Sequence, residues 1–255
     1  MSLNFGTHED VVFDDAPLTS VLCQIQFPPI LALISGAGLT GFQTVLREQY
    51  PILLPKEQSA SVQVGPDSIG LSASPPVWRL TDEAKQWTVG LAVNFVSLET
   101  PSYSSIDEFL SRIDNILRAL RSTLRPADSI RIGLRKINAI GSDDPSFFRS
   151  SIRPEVLGIL AVEDLPVPIL QAAFQVQFED DENMLVVRSG LADEGAERRY
   201  VLDMDYFTER PYPVAPGEDI VSLLRYFSEG MTSFFHWATT EDYRSSLQPR
   251  PRTQK

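Results

Sequence analysis

The sequence predicts an α+β fold of two similar β-α-β-β-β-α halves, with a mainly antiparallel sheet covered by two long helices. Three observations predict it. Several short runs alternate apolar and polar residues with period two, the strand pattern. Two longer stretches, 106–124 and 220–237, repeat apolar residues at spacings of three and four, the pattern of a helix with one buried stripe. The segments also recur in the same order: strand, short helix, about three strands and a long helix, then the set again. A repeat of about 110 residues suits two tandem units, because solenoid repeats are far shorter. Short strands next to one another imply antiparallel pairing with helices on one face. The expected divisions are an N-terminal extension at 1–16, a first half at 17–126, a second half at 127–247 and a flexible polar tail at 248–255.

The first strand lies in P-L-T-S-V-L-C-Q-I-Q-F-P-P. Val21, Cys23, Ile25 and Phe27 face one way and Gln24 and Gln26 the other, and the two prolines stop it. Phe42, Val45, Leu46 and Gln49 fit a helix over 39–50, which Pro51 ends. Three short strands are expected at 61–64, 69–73 and 77–81, split by Gly65, Pro66 and Asp67 and by Pro75 and Pro76. A longer strand is expected over 87–98, with Trp87, Val89, Leu91, Val93 and Phe95 on one face. The helix over 106–124 begins at Ser105 with Glu108 in capping-box spacing, and Pro126 closes it.

The centre of the chain is S-I-R-I-G-L-R-K-I-N-A-I-G at 129–141. Ile130, Ile132 and Leu134 alternate with Arg131, Gly133 and Arg135. Ile137 and Ala139 then place apolar residues at odd positions, so a bulge is expected at Arg135 and Lys136. A short helical stretch at Phe147 and Phe148 and a Pro-rich connector at 160–168 follow. Strands are expected at 172–178, 185–191 and 199–207, the long helix at 220–237 and a short helix at 240–247.

The net charge of −12 argues against a phosphate backbone as partner, so no nucleic acid is expected. Cys23 is the single cysteine and shares the apolar phase of its strand, so a buried thiol is expected. No apolar run reaches the ~18 residues of a membrane helix and no signal-type segment opens the chain, so a cytoplasmic location without membrane association is expected. His8 and His236 give no metal spacing with Cys23, and neither a phosphate loop nor a nucleophile elbow occurs. G-A-G-L-T-G at 36–41 lacks the lysine and reads as a helix-entry loop. The reading is of a chain with no cofactor, no metal and no catalytic residue.

Four segments carry a resemblance: P-L-T-S-V-L-C-Q-I-Q-F-P, R-I-G-L-R-K-I-N-A-I, V-L-D-M-D-Y-F and F-F-H-W-A-T-T-E-D-Y-R. With them the chain resembles a sporadically distributed, uncharacterised bacterial protein family of similar length, marked by R-I-G-L-R-x-I-N and L-D-x-D-x-F. In that family an aromatic usually stands where this chain has Lys136. The resemblance carries over no catalytic residue. The family's patchy occurrence implies an accessory role, such as defence or toxin neutralisation.

Three sets of residues are candidates for function. Asp203 and Asp205 point to one side of a strand, which is the spacing of a metal or acid/base pair. The bland reading is a salt-bridged face, and an ion-pair network with Arg131 and Arg135 is expected. Arg131, Arg135, Asn138 and Asn94 would line a cleft between the halves for an anionic or planar ligand, beside the small Gly90 and Ala92. Phe234, Trp237 and Tyr243 belong to an aromatic cluster too wide for one helix face, so they are expected at an interface with a protein partner or a second copy. The function expected first is non-enzymatic protein binding or assembly. The alternative is a small-ligand-binding or enzymatic cleft between the two halves.

Overall fold

The sequence patterns become the following elements in the computed structural model, which describes residues 3, 5–6, 11–36, 38–55, 60–65, 68–73, 76–142, 144–194, 197–214 and 218–251. The first half holds β1 (Val11–Phe13), β2 (Leu18–Gln26), α1 (Leu31–Ile34), α2 (Leu39–Leu46), β3 (Ile52–Leu53), β4 (Ala60–Gly65), β5 (Ser68–Ala73), β6 (Trp78–Thr81), β7 (Thr88–Ala92), β8 (Phe95–Thr100) and α3 (Ile106–Thr123). The second holds β9 (Arg131–Gly141), α4 (Pro145–Ser151), α5 (Pro154–Leu157), β10 (Ala173–Asp180), β11 (Asn183–Glu194), β12 (Glu197–Thr208), α6 (Glu218–Ala238), α7 (Glu241–Ser246) and β13 (Pro249–Pro251). The fold is α+β with a mainly antiparallel sheet.

The chain packs as two compact units, neither of them one continuous stretch. Unit one comprises Met1–Val21, Leu134–Thr208 and Arg225–Lys255; unit two comprises Leu22–Gly133 and Glu209–Leu224. Unit one carries the strand order β10-β11-β12-β9-β2, and unit two the order β9-β2-β8-β7-β6-β3. Strands β2 and β9 and helix α6 therefore pass from one unit into the other along the chain. His8 and the 252–255 end of the expected tail lie outside the described residues. Ala37 of the Gly-rich stretch does too.

The stripe on α3 buries as its spacing requires: Ile106, Phe109, Leu110, Ile113, Ile116, Leu117 and Leu120 are all buried. Ser105 caps it, its Oγ accepting from the Glu108 N–H at 3.2 Å. In β2, Val21, Cys23, Ile25 and the following Phe27 are buried. Each such apolar side chain removed from water contributes about 1.5–3 kcal/mol before chain entropy is counted.

Four expectations need correction. Strand β9 keeps one phase throughout: Ile132, Leu134, Lys136, Asn138 and Ile140 are all buried, and Ile130 before it is exposed. The expected slip assumed that Lys136 and Asn138 avoid the interior, but both find hydrogen-bond partners there. The stretch 87–98 is a hairpin and not one strand. Val93 and Asn94 form its two-residue turn, with Ala92 opposite Phe95. Burial therefore shifts from Val89 and Leu91 to Val96 and Leu98. At the end of the chain, Pro249–Pro251 pairs with Val11–Phe13, so these tail residues form a strand.

The fourth correction concerns the aromatic cluster of α6. Phe234 and Tyr243 are buried and Trp237 is half-buried. The second apolar face of the helix is covered from within the chain. Phe5 packs edge-on to Phe234 at 4.9 Å and lies 5.6 Å from Trp237, and Phe13 lies 6.2 Å from Phe235. Tyr243 meets Phe147 at 6.0 Å, and Arg153 lies over the Trp237 ring. Two apolar faces on one helix thus meet two different coverings, the sheet and the N-terminal segment.

Candidate functional site

Within unit one, alternation along β9, β11 and β12 sorts the polar residues onto two faces. On the face away from α6, Arg135 forms a bidentate pair with Asp203, Nε to Oδ1 at 2.6 Å and Nη2 to Oδ2 at 2.7 Å. Arg188, directly opposite Asp203 in the β11–β12 register, adds a second cation at 3.7 Å and donates from Nε to Gln175 Oε1 at 3.2 Å. The structure thus brings Arg135 and Asp203 together and adds Arg188, which the sequence reading missed. Its signal was the hairpin register, since L-V-V-R set antiparallel to V-L-D-M-D places arginine against aspartate. Asp205 is half-buried on the same strand, opposite Val186.

The face beneath α6 holds a different set. The Lys136 Nζ is buried and donates to Ser228 Oγ at 2.8 Å, to the Ser228 carbonyl at 3.2 Å and to Thr232 Oγ1 at 3.3 Å. Asn138 reaches the Leu202 carbonyl at 3.5 Å. Asp180, at the end of β10, is buried. Its Oδ2 accepts from the Tyr226 hydroxyl at 2.5 Å and from the Tyr206 hydroxyl, and its Oδ1 from the Leu3 N–H at 3.2 Å. Burial, then the Asp180 carboxylate, pushes the Tyr206 hydroxyl far above the usual phenol range. Tyr206 stacks on Phe227 at 4.4 Å, and its ring lies 2.7 Å from where a side chain at Gly230 would begin.

The expected ligand-binding residues do not share one wall. Arg131 and Arg135 are on one face of β9 and Asn138 on the other. Asn94 and Arg131 belong to unit two, Arg135 and Asn138 to unit one. Asn94 sits in the β7–β8 turn, where its carbonyl accepts from the Phe27 N–H at 2.9 Å and its Oδ1 is buried with no hydrogen bond. The Arg131 guanidinium folds back along its own strand, with Nη1 2.6 Å from where a Gly133 side chain would begin. Cys23 is fully buried, and that burial raises its thiol pKa well above the ordinary range, only partly opposed by Arg131. A cleft of about 520 Å³ in unit two is lined by Arg118, Arg121, Ser122, Arg125, Pro126 and Val214.

Among the described residues, one end of unit one is left open. β10 has β11 on one side, and no strand among the described residues pairs with its other side. Ala173, Gln175, Val176, Gln177 and Glu179 are exposed along it. The connector leading into β10 starts at Gly158, whose φ of +56° suits a residue without Cβ. A side chain there would begin 3.2 Å from the Phe174 ring. Along this connector Ile159, Val162, Val167 and Leu170 are 54%, 49%, 68% and 78% exposed. In unit two, Leu31, Ile34 and Val45 are also exposed.

No helix among the described residues is long and apolar enough to cross a membrane. Compared with protein-family models and with curated proteins, the chain gives no match.

Proposed function

We propose that this chain is a non-enzymatic protein-binding or assembly protein, and that it works through the β10 end of unit one. The observation that carries the reading is the run Ile159, Val162, Val167 and Leu170, four large apolar side chains about half or more exposed on one connector. Large exposed apolar side chains on the connector that leads into a strand with one open side mark a surface meant to be covered. The polar groups of this unit point the same way. Asp203 is held by Arg135, Asp180 by two tyrosines, and Lys136 by helix hydroxyls, so these side chains are spent on the fold. Among the described residues the first half carries six strands between its short helices and α3, not about three. With β3 and the β4–β5 pair set aside, each half reads strand, short helices, three-strand meander (β6-β7-β8 or β10-β11-β12) and long helix, which supports an internal duplication. The resemblance to the sporadic bacterial family supports an accessory role in a defence or toxin-neutralising system.

The test is the native mass of the tagged chain in its source cell. We expect it in a species well above 28.5 kDa. Replacing Val167 and Leu170 together by serine should release it. A chain that migrates as a 28.5 kDa monomer in the undisturbed lysate overturns the reading.

A second reading is favoured by the unit-two cleft, where Arg118, Arg121 and Arg125 converge in a chain of net charge −12. Such a cleft suits an anionic ligand. Arg118 is already paired with Asp114, and cations in a last helical turn also offset the helix dipole. Thermal stabilisation by nucleotides or acidic metabolites, lost on Arg121→Ala with Arg125→Ala, supports this reading. No stabilisation across a broad panel removes it.

A further inference from the structure

Protein binding at the β10 end leaves the partner's chemistry open, and the inference that follows rests on that reading. We propose that the partner is a second copy of this chain, joined through β10 paired antiparallel with itself about Val176.

The phase of the strand is fixed by its inner neighbour. The Leu191 N–H donates to the Ala172 carbonyl at 2.9 Å, and the register runs on from Ala173 opposite Gly190 to Asp180 opposite Asn183. In an antiparallel ladder the N–H and C=O of one residue point to the same neighbour, and successive residues alternate. Phe174, Val176 and Phe178 thus direct theirs to β11. Ala173, Gln175, Gln177 and Glu179 direct theirs outward, and all four residues are exposed.

Self-pairing about Val176 uses that phase without a mismatch. It sets Gln175 opposite Gln177 and Ala173 opposite Glu179 as the hydrogen-bonded pairs, which are the residues whose backbone faces out. Val176 meets Val176, and Phe174 meets Phe178, at the non-hydrogen-bonded sites, where Cα atoms approach to about 4.5 Å. Aromatic cross-strand pairs at such sites are favourable. Val176 is 50% exposed between the two half-buried phenylalanines, so the second copy completes one apolar stripe.

Charge selects the direction. The acids of β10, Glu179 and Asp180, lie at its C-terminal end. Antiparallel pairing sends the two copies of that end apart, whereas parallel pairing stacks them. Over its eight residues the strand contains no Pro, Lys or Gly, and its only charges are the two acids at its C-terminal end. The opposite terminal strand, β3 in unit two, has two residues and stands between Pro51 and Pro55.

The experiment uses the full chain with Val176→Cys. Cys23 is the chain's single native cysteine and is fully buried, so an exposed cysteine reports alone. We expect a covalent dimer under mild oxidation with Val176→Cys. Gln175→Cys and Gln177→Cys should give none singly and a heterodimer when the two variants are mixed. Without oxidation the unmodified chain should scatter light as a species of twice 28.5 kDa. Gln177→Pro, which removes an outward N–H and leaves the β11 ladder intact, should weaken association at least tenfold with unchanged circular dichroism. Crosslinking of Gln175→Cys with itself overturns the register. An unmodified chain that stays monomeric at millimolar concentration overturns the second copy as partner. If that monomer still enters a larger species in the cell, protein binding stands and an extended segment of another protein takes the place of the second β10. Absence of both removes the two together.

Discussion

Asp180 and Asp203 lie in one unit, on β10 and β12, and both are less than a tenth exposed. Their partners differ in kind. Asp203 is met by Arg135 with two parallel bonds and by Arg188 across the hairpin. Asp180 lies on the side of Tyr206 and Tyr226, whose hydroxyls it accepts together with one backbone N–H. The two cations that hold Asp203 are partly in water, with Arg135 40% and Arg188 45% exposed in their side chains, while Asp203 itself is buried. Such a half-exposed pair contributes modestly, because water and salt compete for the two guanidinium groups. Removing the acceptor beneath a helix is costlier, because the Tyr206 hydroxyl left behind is away from water. The comparison teaches that the carboxylate without an arginine matters more for folding.

The largest effect should follow Asp180→Ala, which takes the acceptor from the buried Tyr206 hydroxyl and from the half-buried Tyr226 hydroxyl and Leu3 N–H. At about 1–3 kcal/mol for the buried donor and less for the half-buried ones, a loss of about 2–4 kcal/mol is expected in chemical denaturation. Asp180→Asn keeps an acceptor and should lose less than half as much. Equal losses in the two variants would mean that acceptance from the tyrosines does not set the cost. Gly230→Ala comes next. Its new methyl would begin 2.7 Å from the Tyr206 ring, so helix or ring must shift, at about 1–3 kcal/mol. Tyr206→Phe combined with Gly230→Ala should not relieve that loss, since the contact is with the ring carbons.

A pH effect of about 1 kcal/mol should separate the covered face from the exposed one. Burial raises the phenol of Tyr206 in the folded chain, and burial likewise pushes Tyr243 up to about 12. In the unfolded chain both ionise near an ordinary value of about 10. Above that pH the unfolded state binds fewer protons than the folded state. The stability these groups lend is therefore complete below about pH 10 and declines as pH rises further. Tyr206→Phe should flatten the decline measured between about pH 9.5 and 11.

Lys136→Met should change stability by less than about 1 kcal/mol in either direction, since an apolar side chain of similar length replaces a buried cation and the Thr232 hydroxyl retains a partner within the helix. Thr232 Oγ1 already donates to the Ser228 carbonyl at 2.8 Å. A loss above 3 kcal/mol would give Lys136 a structural role that its hydroxyl contacts do not explain. The smallest effect is expected from Asp203→Asn, about 1 kcal/mol or less, and less still in high salt. A larger, salt-independent loss would erase the contrast between the two aspartates.

Much of this was legible in single residues. Ile132 and Leu134 are buried as their alternation requires, and the α3 stripe faces inward as its spacing requires. The prolines and capping residues mark most element ends. Asp203 and Arg135 were recognisable as partners because a strand face with two acids attracts the cations of a neighbouring strand. Arg188 was not, because its role depends on the register of β11 against β12, which neither motif states by itself. The hairpin at Val93 and Asn94 was hidden because apolar residues continue across the turn, where period two alone cannot register a reversal. Lys136 and Asn138 were assigned to the wrong face for a related reason. Their polarity argues for water, and only the Ser228 and Thr232 hydroxyls and the Leu202 carbonyl make burial tolerable.

By itself the sequence determined most of the local elements, though not the reversal at Val93 and Asn94 or the β1 and β13 strands, because periodicity, prolines and caps act within a few residues of one another. It also determined that α6 is apolar on more than one side. Only the tertiary structure decided what covers that second side, namely Phe5 and Phe13 from the far end of the chain. It also decided that β10 ends its sheet with a row of backbone groups facing outward. Both depend on which distant segments meet, and the free energy of those meetings is not a property of any one stretch.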